Sequence, residues 1–252
     1  MKLVKIIAAA LLAGGAAGLQ ADDHADTAAK IKAAMASDIR SESETERDRN
    51  RRPVETLEFF GLRDDMTVVE LLPGGGWYTK ILVPVLAENG SYHAAIGAGR
   101  VQEAMSDVAG FEEMSVVAED ARIFREDGER LYSMEMDGLG VEDVDMVLTF
   151  RNYHNFSESG RRAMNEAAYA ALKTGGIYGV VDHTMRHMEA PNDENRRRFD
   201  PVLAIKEIQE AGFRLVDYSR LHYRADDELE YEVGRRSVSG NTDRFTLKFV
   251  KE

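Results

Sequence analysis

The sequence predicts one α/β domain, a three-layer sandwich on a mostly parallel seven-stranded sheet with an antiparallel last strand, behind an N-terminal helical arm. Three observations carry that expectation. Strand, turn and helix patterns alternate from Met66 onward, which calls for a parallel sheet covered on both faces. Three consecutive glycines, Gly74, Gly75 and Gly76, separate the first strand from the first helix. The last two strand patterns follow one another with no helix between them, so they pair antiparallel at a sheet edge.

Taken in order, residues 1–21 read as an export leader. Lys2 and Lys5 make a basic start, an uncharged run extends from Ile6 to Leu19, and the first acids follow Ala21. A run of about 14 residues is short for a membrane span. The small-residue exit suits cleavage after Ala21, with Gly18 as the alternative. No twin-arginine pair is present, so the general secretory route to the periplasm is expected. Residues 22–60 form the arm. Ala28, Ile31, Ala34 and Met35 recur at helical spacing, Pro53 suits a first helical turn, and Gly61 suits the stop after Leu57 and Phe60.

Residues 61–252 are the α/β domain. Strands are expected at 66–72, 92–96, 131–136, 145–150, 177–181, 213–221 and 244–250. Helices are expected at 77–88 with a kink at Pro84, in pieces across 101–125, and at 157–172. A last helix opens at Asp200-Pro201, with an acid as N-cap, and closes at Gly212.

Composition narrows the function classes. A chain of 252 residues, 44% of them apolar, can bury one sizeable core. A net charge of −13 argues against a generic nucleic-acid binder, which needs clustered cations on phosphates. Without Cys there are no disulfides, thiolate-held metals or thiol nucleophiles. No metal is expected on His183 and His187 beside Asp182, because the stretch follows a strand, precedes Pro191 and lacks a third histidine. No second long apolar run exists, so no membrane contact is expected after leader cleavage.

The stretch from Val68 to Thr79 is the most informative. Glycine lets a ligand approach the backbone, and the helix that follows offers free N–H groups and a positive dipole end. A nucleotide P-loop needs Lys and Ser/Thr after its last glycine, where this chain has Trp77 and Tyr78. A nicotinamide site expects an acid about 20 residues further on, where this chain reads Ala94-Ala95-Ile96-Gly97-Ala98. Glu70, four residues ahead of Gly74, fits a third class, because its turn resembles motif I of the class I S-adenosylmethionine-dependent methyltransferases. The stretches from Asp145 to His154 and from Leu172 to His183 resemble that family's fourth- and fifth-strand motifs. More narrowly, the chain resembles the exported predicted methyltransferases of bacteria. The shared strings are Arg47-Asp48 with Arg51-Arg52-Pro53, Phe59-Phe60-Gly61, Val68 to Thr79, and Thr242-Asp243-Arg244-Phe245.

That resemblance implies a Rossmann-like class I methyltransferase fold, S-adenosylmethionine as cofactor, and methyl transfer to a small molecule. It implies that Glu70, Leu72, Pro73, Gly74, Gly75, Gly76, Trp77 and Tyr78 meet the cofactor, together with Arg151 and Asn152. Asp137, ending the third expected strand, is the candidate for adenine. Two departures stand out. Leu72 replaces the first glycine, and Ile96 replaces the acid that clamps the ribose, which forfeits a charge-assisted hydrogen bond of about 1.5–3 kcal/mol.

The ends of the first, fourth and fifth strands should open on one crevice. His154 and His183 are candidate bases there, with Tyr153 and Asp182 as helpers. The plainer alternative is that His154 caps the next helix and His183 bonds backbone. Arg47 and Arg51 would present cations to an anionic substrate or cofactor carboxylate if the arm folds over the crevice, and Arg196-Arg197-Arg198 would cover the same mouth. A non-catalytic periplasmic ligand-binding protein on the same fold is the alternative to an enzyme.

Overall fold

In a computed structural model, the chain is described over residues 15–252, with side chains from residue 25. Most of the expected leader therefore lies outside the described residues. Its last part belongs to helix α1 (Gly15–Met35), which continues as the arm. Ile31 and Ala34 of α1 are buried against the domain. Two single-turn helices follow, α2 (Glu42–Thr45) and α3 (Asp48–Arg51), then α4 (Pro53–Phe60), which starts on its proline and stops at Gly61 with φ of 84°. Among the described residues no helix is long and apolar enough to cross a membrane.

The domain alternates β1 (Thr67–Leu71), α5 (Thr79–Leu86), β2 (Ser91–Ala95), α6 (Gly99–Met105) and β3 (Ser115–Val117). A two-stranded antiparallel ribbon follows, β4 (Arg122–Phe124) with β5 (Ser133–Glu135). The main sheet resumes with β6 (Val144–Phe150), α7 (Glu158–Ala171), β7 (Leu172–His183), α8 (Pro201–Glu210), β8 (Phe213–Ser219) and β9 (Arg244–Lys251). Its order is β3-β2-β1-β6-β7-β9-β8. The pairs from β3 to β7 are parallel, and β9 is antiparallel to both neighbours. The sheet has its expected seven strands, but the third is not the expected one. Residues 131–136 supply β5 of the ribbon, and the sheet's third strand is the three-residue edge segment Ser115–Val117, inside the stretch expected to be helical.

Alternation along β1 divides the core. Val69 and Leu71 point to the face covered by α7 and α8, while Val68 points to the face covered by α1, α4 and α5. Helix α7 is N-capped by Ser157, whose side chain accepts from the Gly160 N–H, and α8 by Asp200, which accepts from Val202. The strand order reverses between β1 and β6, and that switch point opens the crevice at the strand ends.

Candidate functional site

The chain bends sharply where β1, β2 and β6 end. Leu72, Ile96 and Arg151 all hold positive φ, at 54°, 64° and 63°. Left-handed backbone is costly for residues with a Cβ, most of all a β-branched one such as Ile96, and it persists where packing over-determines it. Leu72 thus keeps the backbone shape that a glycine favours, and its N–H donates to the Ala95 carbonyl at 2.8 Å. The glycines that follow differ in role. A Cβ on Gly74 or Gly75 would meet nothing within 4 Å, whereas one on Gly76 would lie 2.7 Å from Val101 Cγ2. Gly74 and Gly75 leave an open cradle, and Gly76 lets α6 pack close.

A cleft of about 350 Å³ opens above this cradle. Of the expected cofactor residues, Glu70, Leu72, Pro73, Gly74, Gly75, Trp77, Tyr78, Arg151 and Asn152 line it. Gly76 and Asp137 do not. Asp137 lies exposed beyond β5, its N–H donating to Asp120, because the strand that carries it belongs to the ribbon and not to the sheet. Glu70 is buried, and its Oε2 accepts from the hydroxyls of Thr79 at 2.8 Å and Tyr92 at 2.7 Å. Burial pushes this carboxyl up to about 7, against the pull of the two hydroxyls and Arg51. Asn152 donates to the Leu72 carbonyl at 3.1 Å, tying the end of β6 to the end of β1.

The arm closes one side. Trp77 Nε1 donates to the Glu44 carbonyl at 2.9 Å, and the guanidiniums of Arg40 and Arg51 sit 4.9 and 4.2 Å from its ring centroid. Tyr78 stacks on Phe150 at 3.6 Å. Arg47 and Arg51, the expected substrate-binding residues, both line the cleft.

The far wall carries the histidines. His154 Nδ1 lies 2.6 Å from Asp182 Oδ1, and its backbone N–H donates to Asp182 Oδ2 at 3.0 Å. Asp182 is fully buried behind His154 and also accepts from the His183 N–H. His183 lines the cleft, with Nδ1 at 2.8 Å from the Thr242 hydroxyl. Burial and the neighbouring Arg244 hold its imidazole well below the usual range, so it is neutral. Tyr153 points the other way and is no helper in the cleft. Its hydroxyl donates to Glu207 and accepts from Asn165, and burial raises its pKa. Among the described residues no group of three or more His, Asp or Glu could hold a metal.

Arg197 of the expected basic cluster lines the cleft, as does Asn155 beside His154, and the cleft also uses Glu44, Phe150 and Val233, which no sequence pattern assigned to ligand contact. Glu44 had a legible signal. Ser41 and Glu44 form a capping box at the start of α2, which fixes the turn that brings Glu44 onto Lys80 at 2.9 Å. A second, largely apolar cavity of about 450 Å³ adjoins, and both His154 and Arg197 line the two spaces.

No family model matches the sequence, and no curated protein matches it. Solved structures do. A SAM-dependent methyltransferase from Aquifex aeolicus superposes with a TM-score of 0.55 at 17% identity, over 89% of this chain and 98% of that one. The glycopeptide N-methyltransferase MtfA complexed with sinefungin gives 0.52 at 14% identity, over 81% and 86%. The fold is that of the class I S-adenosylmethionine-dependent methyltransferases. The [4+2]-cyclase SpnF gives 0.52 at 12% identity, over 80% of each chain. One architecture thus serves more than one reaction, and the chemistry of this chain has to be argued from its own cleft.

Proposed function

We propose that this protein transfers a methyl group from S-adenosylmethionine to a small molecule, and that His154 accepts the proton released by the acceptor. The carrying observation is that the open glycine cradle with Glu70 shares one cleft with a His154–Asp182 pair. The residues present fit the cofactor's methionine end. Nothing stands over Gly74 and Gly75, Glu70 offers a carboxyl to an ammonium group, and Asn152 holds the two strand ends together. Ile96, standing where the resemblance expects an acid, is fully buried and does not line the cleft, so that position supplies no acceptor for a ribose. When bound, the cofactor supplies a sulfonium-activated methyl group.

The protein's own part is alignment and proton handling. Asp182 accepts from His154 Nδ1–H, which fixes the tautomer and leaves the Nε2 lone pair as the acceptor for a proton. As the proton arrives, the buried Asp182 carboxylate stabilises the imidazolium, the role of the acid in a triad. Asp182 acts through His154 and is a positioning residue. His154 stands between the cleft and the apolar cavity, so an acceptor lodged in that cavity reaches both.

The leader-like residues 1–21 support export to the periplasm as the place of action. Mass spectrometry of protein recovered from the periplasm should show a start near Asp22, and an intact Met1 there would refute cleavage. Trp77, the sole tryptophan, lines the cleft, so its fluorescence reports ligand. Titration with S-adenosylhomocysteine should give a saturable change that is lost in Glu70→Ala. A flat signal, with no heat by calorimetry, would sink the proposal.

A further inference from the structure

The cleft holds more positive charge than it can compensate. Arg51 is 3% exposed, lines the cleft, and its Nη2 has no hydrogen-bond partner. Its main chain is locked, because its carbonyl accepts from the Thr56 hydroxyl at 3.0 Å and lies 2.9 Å from His222 Nε2. Arg151 lines the same cleft from the strained end of β6, its N–H donating to the Val181 carbonyl at 2.7 Å. Among the described residues the side chains of Arg51 and Arg151 make no salt bridge and no hydrogen bond. Arg47 adds a third cation at the rim, with Nε on the Ser43 carbonyl. Arg244 lies buried behind them, its Nη1 on the Asn50 carbonyl and its Nε without a partner.

The carboxylates nearby do not offset these charges: Asp182, whose charge reaches Arg151 and Arg244, is bonded to His154 and bridges neither arginine. Glu44 is held by Lys80, and Glu70 is pushed toward neutrality by burial. Of the lining cations, Arg197 alone has its own acid, Glu232. Burial, with Arg151, Arg47 and Arg244 close by, drives the Arg51 pKa down to about 8. A guanidinium keeps its proton in a protein, so this shift registers as an unfavourable charge that an anion would relieve.

We propose that Arg51 and Arg151, with Arg47 at the rim, form a subsite for a phosphate or carboxylate group of the methyl acceptor. The assignment to the acceptor rests on the methyltransferase reading. S-adenosylmethionine brings one carboxylate together with an ammonium and a sulfonium, so it adds net positive charge to a cleft already in excess. The anion that balances the arginines therefore belongs to the other substrate. Planar guanidiniums bind either group through paired N–H donors, and a pair that no acid bridges is prepared for it.

The test is calorimetric titration of the purified protein with inorganic phosphate and, separately, malonate, each with and without saturating S-adenosylhomocysteine. Saturable binding in the millimolar range or tighter is expected, at least about tenfold weaker in Arg51→Gln and in Arg151→Gln. The stronger of the two probes identifies the group. Circular dichroism establishes that each variant is folded, and the second variant stands if the first is not. Binding should persist with S-adenosylhomocysteine present. Competition between the two would overturn the proposal, because the arginines would then hold the cofactor's own carboxylate. So would no binding of either anion at about 50 mM, or unchanged affinity in both variants. Phosphate binding without any binding of S-adenosylhomocysteine would support the anion subsite and defeat the methyl-transfer reading.

Discussion

Replacing Glu70 with Gln should stabilise the protein at pH 8 while weakening its grip on the cofactor. The buried carboxyl titrates at about 7 against an ordinary value of 4.5. Between those values the folded chain binds more protons than the unfolded one, so Glu70's contribution is fully present below pH 4.5 and is lost as pH rises through 7. A shift of that size corresponds to about 3 kcal/mol at pH 8. Gln keeps an acceptor for Thr79 and Tyr92 but introduces an amide N–H₂, which takes back about 1 kcal/mol. The net of about 2 kcal/mol raises Tm by roughly 4–8 °C in a domain of this size. Thermal unfolding of both proteins at pH 5 and pH 8 is the assay. Only the difference between them is informative, because His222 titrates in the same window with opposite sign. An equal Tm difference at both pH values would refute the buried-charge argument.

Burial holds the His222 imidazole down at about 4, so its contribution is present above 6.5 and is lost as pH falls from 6.5 toward 4. Its Nε2 pins the Arg51 carbonyl, and His222→Asn should lower Tm at pH 7 and flatten the acid limb of stability; an unchanged acid limb would contradict this. Gly75→Val should fold with wild-type Tm and lose cofactor affinity, whereas Gly76→Val should be destabilised by about 1–3 kcal/mol through its clash with Val101. The reverse ranking by calorimetry and thermal unfolding would overturn the cradle. Asp182→Asn should reduce turnover by about 10²–10⁴ and change the pH–rate profile with little effect on cofactor affinity. Loss confined to KM would remove the proton-handling role.

The glycine turn and the antiparallel last strand were legible because each follows from local pattern, and Glu70 through the resemblance of its turn to motif I. Gly61, Ser157 and Asp200 likewise end or cap helices as their types suggest. The third strand was not legible. Ser115–Val117 is a half-buried, three-residue edge segment with too little length for alternation, while residues 131–136 carry a stronger pattern but pair off the sheet. Asp137 follows that ribbon strand and so ends away from the cleft. Tyr153 and His154 are adjacent on a single helical turn and point to opposite sides, a choice made by Glu207 and Asp182 from distant segments. Arg47, Arg51 and Arg151 were each legible as crevice residues, but their convergence with Arg244 was not, since it arises only through the tertiary fold.

Calorimetric titration of the purified protein with S-adenosylmethionine, alongside Gly75→Val, decides whether the glycine cradle holds the cofactor. Saturable binding that the single valine abolishes without lowering Tm is the predicted result. No heat from the wild-type protein at about 1 mM cofactor would contradict it.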